Sequence, residues 1–212
     1  MNPTVPKLIV GAVLFEGFEL LDLYGPLQIF GLNKDKLEVV TLGLRVGEVA
    51  SNHGKAGSRG VIDQTFTDSP AVDVLLIPGG FGTRKKVDNA TLLDAIRTTA
   101  GRATYVITVC TGSALLARTG LPDGKRATSN KQALKWVITQ GPKVMWVPEA
   151  RWVEDGKFFT ASGVSAGLDA TLALVAKIFG RERALSNAEG SEYEWHEDPT
   201  WDPFAKLAGL VP

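Results

Sequence analysis

Cys110 is the only cysteine in the 212-residue chain, and it lies where a strand-like run passes into a helix-like one. The run at residues 103–109 has β character, and residues 114–118 have helical character. A thiol on such a turn is held out of the sheet, and the positive end of the helix dipole favours its thiolate form. Cys110 is therefore either a nucleophile on an elbow or an inert core cysteine, and this segment alone does not separate the two.

Composition and charge exclude several classes of protein. The chain is 44% hydrophobic and 22% charged, with 23 basic and 23 acidic residues, which predicts a globular protein with neither a nucleic-acid nor a membrane partner. No apolar run approaches the roughly 20 residues that span a bilayer, and no signal peptide precedes the first strand. One cysteine and two histidines leave no internal disulfide and no usual zinc cluster. We therefore expect a cytoplasmic protein without a zinc cluster.

Alternating strand-like and helix-like segments predict an α/β fold. Strands are expected at residues 8–15, 37–43, 73–78, 103–109 and 143–147, and helices at 22–30, 89–100, 130–140 and 167–179. A hairpin is expected around Asp155-Gly156, and Asn89 and Asn130 are expected to cap their helices. This alternation predicts a mostly parallel sheet with helices on both faces. We expect one domain over residues 1–212, with its core at about 7–190 and a tail at 191–212.

Polar or flexible residues follow three of these strands. Asp22 follows the first strand, Gly79 and Gly80 follow the run at 73–78, and Cys110 follows the run at 103–109. In open parallel sheets the binding site lies outside the carboxyl ends of the strands. The three loops should therefore meet at one edge of the sheet, which favours the nucleophile interpretation of Cys110.

The glycines and the elbow residues are candidates for stabilising an anion. Gly79 and Gly80 let the backbone approach a ligand and offer N–H groups, although they could equally form a turn that needs positive φ. Thr111 and Gly112 supply N–H groups at the start of the elbow helix, and the Thr111 hydroxyl could bond the thiol.

Other residues near these loops have competing interpretations. Asp22 is either a catalytic carboxyl or a helix N-cap, and Asp169 is expected to cap or neutralise the helix at 167–179. His53 lies in a glycine-rich loop and is expected to be solvated. Asn130 is a candidate for the pocket wall. If the tail covers the site, Trp195 is a second candidate wall, and His196 could also reach it.

Four motifs resemble those of the ThiJ/PfpI superfamily, whose fold is flavodoxin-like and related to class I glutamine amidotransferases. They are FELLDLYGP at 18–26, LLIPGGFG at 75–82, TVCTGS at 108–113 and TASGVSAGLD at 160–169. The resemblance implies a three-layer α/β sandwich, a nucleophile elbow at Cys110 and a homodimer. Many members have a histidine after the elbow helix, where this chain has Asn130. That departure counts against a Cys–His dyad and acyl-transfer chemistry.

Asp22 together with the Cys-Thr-Gly-Ser elbow is similar to the isocyanide (isonitrile) hydratase branch of this superfamily. The branch implies that Cys110 attacks an isocyanide to give a thioimidate, with Asp22 as general acid and then base, and that water releases an N-substituted formamide. This mechanism requires no metal or organic cofactor. A carboxyl beside a thiolate should have a raised pKa, because two adjacent anions repel each other. The same pattern occurs in some AraC-type regulators, which add a helix-turn-helix region that we do not expect in this chain.

Two alternatives to hydration remain open. One is a cofactor-free glyoxalase or deglycase-like enzyme, but Asp22 and Asn130 stand where that chemistry normally uses glutamate and histidine. The other is a non-catalytic, oxidation-sensing protein, since accessible thiols of low pKa oxidise readily.

Overall fold

A seven-stranded sheet forms the centre of the protein in a computed structural model, which describes residues 6–52, 54 and 57–212. The strand order across the sheet is β10-β11-β7-β6-β1-β2-β5. All neighbours are parallel except β10 and β11, which pair antiparallel. The strands are β1 (Leu8–Val13), β2 (Leu37–Gly43), β5 (Gln64–Thr65), β6 (Val74–Ile77), β7 (Tyr105–Val109), β10 (Trp152–Asp155) and β11 (Phe158–Ala161). The prediction of a mostly parallel sheet is confirmed.

Two further two-stranded sheets flank the central one. They pair β3 (Gly47–Ala50) with β4 (Arg59–Ile62), and β8 (Arg126–Ala127) with β9 (Met145–Trp146). The first pair was not predicted, because its strands are short and lie on either side of a polar, glycine-rich loop. The strand expected at 143–147 is reduced to the two residues of β9.

The helices surround the central sheet in two groups. They are α1 (Leu20–Gly31), α2 (Thr83–Lys86), α3 (Ala90–Arg102), α4 (Gly112–Arg118), α5 (Leu134–Gln140), α6 (Ala166–Phe179), α7 (Arg181–Gly190) and α8 (Phe204–Leu207). Helix α6 contacts α1 and α7, whereas α4 contacts α2, α3 and α5. Every residue of β6 is buried, as are four of the five residues of β7, as expected for strands covered on both faces.

Local sequence signals account for several boundaries. Asn89 caps α3 as predicted, because its side chain accepts a hydrogen bond from Leu92 N at 2.9 Å. The predicted hairpin joins β10 to β11, with Gly156 at φ 64° in its turn. The helix predicted from residue 130 begins at Leu134 instead. Asn130 Oδ1 accepts from Ala133 N at 3.1 Å, so this side chain caps a single turn that precedes the helix.

A buried ion pair ties the C-terminal segment to the body of the protein. Lys131 Nζ lies 2.9 Å from Asp202 Oδ2, and both side chains are almost completely shielded from solvent. The same ammonium group donates to Thr128 Oγ1 and to the Ala150 carbonyl, each at 2.8 Å. Charge pairing and these hydrogen bonds together compensate for burying the ammonium group.

None of the helices in the described part of the chain combines the length and the apolar character needed to span a bilayer.

Candidate active site

Cys110 occupies a strained turn between β7 and α4. Its φ is 55°, in the left-handed region that residues other than glycine rarely adopt and that costs about 1–3 kcal/mol. Its N–H donates to the Ser162 carbonyl at 2.8 Å. Its carbonyl accepts from the hydroxyls of Ser113 and Ser129 at 2.9 and 2.8 Å. These three bonds hold both backbone polar groups of the elbow and thus fix the position of the thiol.

Asp22 is completely buried in the first turn of α1. Its Oδ2 accepts a hydrogen bond from Gly79 N at 2.9 Å, whereas its Oδ1 has no partner among the described residues. Burial raises the pKa of Asp22 to about 8; the nearby charge of Glu19 adds to this shift and the Gly79 N–H opposes it. The carboxyl is therefore mostly protonated at neutral pH. The alternative role as N-cap is wrong, because the helix begins at Leu20 and its cap residue is Glu19.

The thiol of Cys110 is also neutral in this site. Burial raises its pKa, and the negative charge of Asp22 adds to that shift. Hydrogen bonds from Thr111 and from the Asn130 side chain act in the opposite direction but do not outweigh burial. The expectation of a readily formed thiolate is therefore wrong for the resting site. The expected rise in the pKa of the neighbouring carboxyl is confirmed, but its expected cause is wrong, because burial raises this pKa whereas the Cys110 side chain lowers it.

Gly79 and Gly80 position the site rather than present unoccupied donors. The Gly79 N–H is bonded to Asp22, and the Gly80 N–H donates to Thr111 Oγ1 at 3.0 Å. A Cβ at Gly79 would lie 2.6 Å from Thr111 N and 2.8 Å from Asp22 Oδ2, so no side chain fits. Gly80 has φ 125°, as expected for a glycine turn. The expectation that these two N–H groups face a developing anion is contradicted, because both already have acceptors.

Thr111 and Gly112 form the start of the elbow helix. The Thr111 hydroxyl bonds both backbone groups of Gly80, and its N–H donates to the sulfur of Cys110, which lowers the thiol pKa. A Cβ at Gly112 would clash with the carbonyl oxygen of Ile77 at the end of β6. Gly112 therefore allows the elbow to pack directly on the neighbouring strand.

A cavity of about 280 Å³ opens onto the exposed side of Cys110. Its lining residues are Glu19, Asn52, Gly80, Phe81, Arg84, Cys110, Thr111, Asn130, Gln132, Ala133 and Val164. Asp22 is not among them and lies below this surface. The cavity therefore gives a ligand access to the sulfur atom, while the carboxyl stays shielded from solvent.

The aromatic tail lies outside this cavity. Trp195, the expected pocket wall, donates from Nε1 to the Asp169 carbonyl at 3.2 Å and is not a lining residue. His196 stacks on Trp201 with ring centroids 4.3 Å apart. Neither side chain therefore serves the cysteine in this structure. His53 lies outside the described residues.

Asp169 binds the tail and does not cap its helix. Its carboxylate pairs with Arg151 at 2.7 Å and accepts from Tyr193 Oη at 2.9 Å and from His196 N at 3.0 Å. The cap residue of α6 is Ser165. The expectation of a capping role is therefore wrong, because three groups distant in sequence bind the carboxylate. The alternative expectation, a negative charge at the start of the helix, is confirmed, because Asp169 lies in the first turn of α6.

Four residues of the candidate site were not singled out from the sequence. Glu19 and Asn52 line the cavity and are joined by a 2.5 Å hydrogen bond, and Arg84 lies at its mouth. Ser129 holds the elbow carbonyl. Glu19 lies within the motif that contains Asp22, and Ser129 precedes Asn130. Both residues could therefore have been predicted from their closeness in sequence to residues already assigned to the site. Asn52 and Arg84 carried no such signal.

No metal centre is evident in the described part of the chain. No group of three His, Cys, Asp or Glu side chains lies close enough together there to hold an ion. The polar groups around Cys110 are instead amides, hydroxyls, one guanidinium group and the carboxyl groups of Glu19 and Asp22.

Comparison with known proteins agrees with this architecture. An isonitrile hydratase of Pseudomonas putida is 34% identical over 178 residues, which cover 84% of this chain and 75% of that protein. The HTH-type transcriptional regulator GbdR of Pseudomonas aeruginosa is 32% identical over 134 residues, but these cover only 35% of the regulator and 62% of this chain.

Solved structures show the same fold. A ThiJ/PfpI family protein from Pseudomonas syringae superposes with a TM-score of 0.82 at 28% identity, covering 98% of this chain and 86% of that one. Drosophila melanogaster DJ-1beta superposes with a TM-score of 0.75 at 20% identity, covering 89% of this chain and all of that one. The model of the DJ-1/PfpI family matches residues 9–177. The chain therefore belongs to the DJ-1/PfpI family.

Proposed function

We propose that this protein is an enzyme that adds water to a small isocyanide and releases an N-substituted formamide. One observation carries the proposal: Asp22, a buried and largely protonated carboxyl, lies beside the Cys110 thiol below a ligand-sized cavity. A neutral acid next to a nucleophile suits a substrate whose carbon must gain both a proton and a sulfur. The similarity to the Pseudomonas putida isonitrile hydratase supports the same chemistry.

The first step is addition of the thiol across the isocyanide carbon. Asp22 gives its proton to this carbon, and the sulfur of Cys110 forms a bond to it. The proton of the thiol passes to the Asp22 carboxylate as the C–S bond forms. The product is a thioimidate, R–N=CH–S–Cys110, and Asp22 is protonated again. No free thiolate or free carboxylate has to persist, in keeping with the raised pKa of both groups.

The second step is hydrolysis of this thioimidate. Water adds to the carbon, and the nitrogen takes one proton, which gives R–NH–CH(OH)–S–Cys110. The hydroxyl proton then moves to sulfur, with the Asp22 carboxyl as relay, as the C–S bond breaks. The products are R–NH–CHO and the original thiol, so atoms and charges balance. The Thr111 N–H and the Asn130 amide, which donate toward the sulfur, would stabilise it as the leaving group.

The proposed steps use only protein groups and water, without a metal or organic cofactor. They require a reduced Cys110, which suits the cytoplasm. A homodimer remains an expectation from the resemblance and is not needed for the chemistry.

Turnover of a neutral aryl isocyanide, followed as formamide by NMR, tests the proposal. We expect turnover by the wild type, none by Cys110→Ala, and a loss of about 10²–10⁴-fold in Asp22→Asn. Because the acid must be protonated, kcat/KM should be constant below pH 8 and should fall above it. Asp94→Asn, which changes an exposed carboxylate far from the cavity, is the matched control. Turnover that survives Cys110→Ala, or no turnover by the wild type, would reject hydration.

A further inference from the structure

Arg84 lies at the mouth of the Cys110 cavity with no anionic partner. It lies in the short helix α2 and lines the same cavity as the cysteine. The carbon of its guanidinium group lies 3.5 Å from the centre of the Trp136 ring, so the side chain is held by stacking. Among the described residues, no carboxylate lies within 4.0 Å of the guanidinium group, and no hydrogen-bond acceptor contacts it. The edge of this cation therefore has donors available to a ligand.

The only carboxylate among the lining residues is already occupied. Glu19 accepts the hydrogen bond from Asn52 Nδ2, and the Asn52 carbonyl oxygen accepts from Phe81 N at 2.7 Å. Glu19 and Arg84 do not form an ion pair with each other. The cavity therefore presents one engaged anion and one uncompensated cation, together with the amide side chains of Asn130 and Gln132.

The position of charge in the cavity restricts the position of charge in a substrate. At the floor, burial keeps Asp22 and Cys110 neutral, so an anion placed there would be unfavourable. At the mouth, Arg84 offers fixed positive charge beside solvent. A substrate that places an uncharged reactive group at the sulfur and an anionic group at the Arg84 side of the cavity would match both ends.

We propose that Arg84 binds a carboxylate on the substrate, so that the enzyme acts on small isocyanides carrying an acidic group. This inference rests on the proposed function for the reactive end, whereas the anion-binding role of Arg84 does not depend on it. Guanidinium groups bind carboxylates through two parallel hydrogen bonds, and stacking on Trp136 orients the plane of the group for such binding. Arg84 would therefore select the substrate without taking part in the bond-making steps.

Alkylation of Cys110 tests the anion site without any assumption about the reaction. 4-(Iodoacetamido)benzoate and its methyl ester react through the same neutral iodoacetamide group and differ only in the charge at the far end of the ring. We expect the ratio of their alkylation rates to fall about three- to tenfold in Arg84→Gln and to be largely kept in Arg84→Lys. Lys85→Gln removes the same charge from the exposed neighbouring position and should leave the ratio nearly unchanged. Equal ratios in the wild type and in Arg84→Gln would overturn the proposal.

Turnover then tests the substrate class. The matched pair is 4-isocyanobenzoate and its methyl ester, which differ in the charge at the far end of the ring. We expect Arg84→Gln to lower kcat/KM about tenfold for the acid, mainly through KM, and to have little effect on the ester. Turnover of the ester alone, with unaltered Arg84→Gln kinetics, would reject the substrate class. If neither compound reacts, hydration itself fails, and the alkylation ratio still decides whether Arg84 binds anions.

Discussion

Replacing Asp22 by Asn is expected to stabilise the folded protein at neutral pH although it removes the proposed catalytic acid. In the unfolded chain this carboxyl titrates near 3.8, whereas in the folded protein its pKa is about 8. Between these values the unfolded state releases a proton that the folded state keeps. The stability contributed by this group is therefore fully present below pH 3.8 and is lost progressively as the pH rises to about 8.

The size of this effect follows from the two pKa values. Each pKa unit corresponds to about 1.4 kcal/mol, so the difference between 3.8 and about 8 corresponds to at most about 6 kcal/mol. Local relaxation and water entry reduce this figure, and we expect about 3–6 kcal/mol at pH 8. The asparagine oxygen can keep the bond from Gly79 N, so the backbone geometry should survive. Against a typical total stability of 5–15 kcal/mol, such a gain is large.

Urea denaturation of the wild type and of Asp22→Asn at pH 4, 6 and 8 measures this difference. We expect the two free energies of unfolding to be similar at pH 4 and to diverge in favour of the variant as the pH rises. Asp94→Asn, at an exposed position, should show no such divergence. A difference that does not change with pH, or a variant less stable than the wild type at pH 8, would show that Asp22 is ionised in the folded protein.

Three further changes test the geometry of the site. Cys110→Gly should be more stable than Cys110→Ala by about 1 kcal/mol in chemical denaturation, since only glycine relieves the strain at φ 55°; equal stabilities would argue against that strain. Gly79→Ala should lower both thermal stability and turnover, since its Cβ would lie 2.8 Å from Asp22 Oδ2; wild-type kinetics would show that the loop can yield. Asp202→Asn should cost about 3–5 kcal/mol by leaving the Lys131 ammonium buried without its counter-charge, and a loss under 1 kcal/mol would mean that its two neutral acceptors suffice.

The neutral state of Asp22 and Cys110 also counts against the oxidation-sensing alternative. Reaction with peroxide requires an accessible thiolate, whereas Cys110 is 7% exposed and burial raises its pKa. The glyoxalase alternative lacks its usual histidine, because Asn130 and not an imidazole faces the sulfur. The described histidine, His196, is instead stacked on Trp201 in the tail.

Much of the fold could be predicted because its signals are local. The apolar runs around β1, β6 and β7 are long enough to identify buried strands, and Asn89 caps α3 through a residue three positions away. Prediction was poorest where local signals were weak or competed with tertiary contacts. The pair β3–β4 is too short for clear alternation, and Asn130 caps a lone turn rather than α5. Asp169 was assigned to its own helix, but Arg151 and the tail bind it more directly.

The sequence by itself determined that Asp22, Gly79 and Cys110 meet, since the carboxyl ends of parallel strands share one edge of the sheet. Only the tertiary structure decided what they do there. The bond from Gly79 to Asp22 joins residues 57 positions apart, and the pKa of Asp22 depends on how completely the surrounding elements exclude water. The same holds for Arg84, which reaches the cavity from a helix that no sequence motif marked. Desolvation and charge–charge interactions depend on distances in space. For this reason the protonation states of Asp22 and Cys110, and the position of the Arg84 charge in the cavity, follow only from the folded protein.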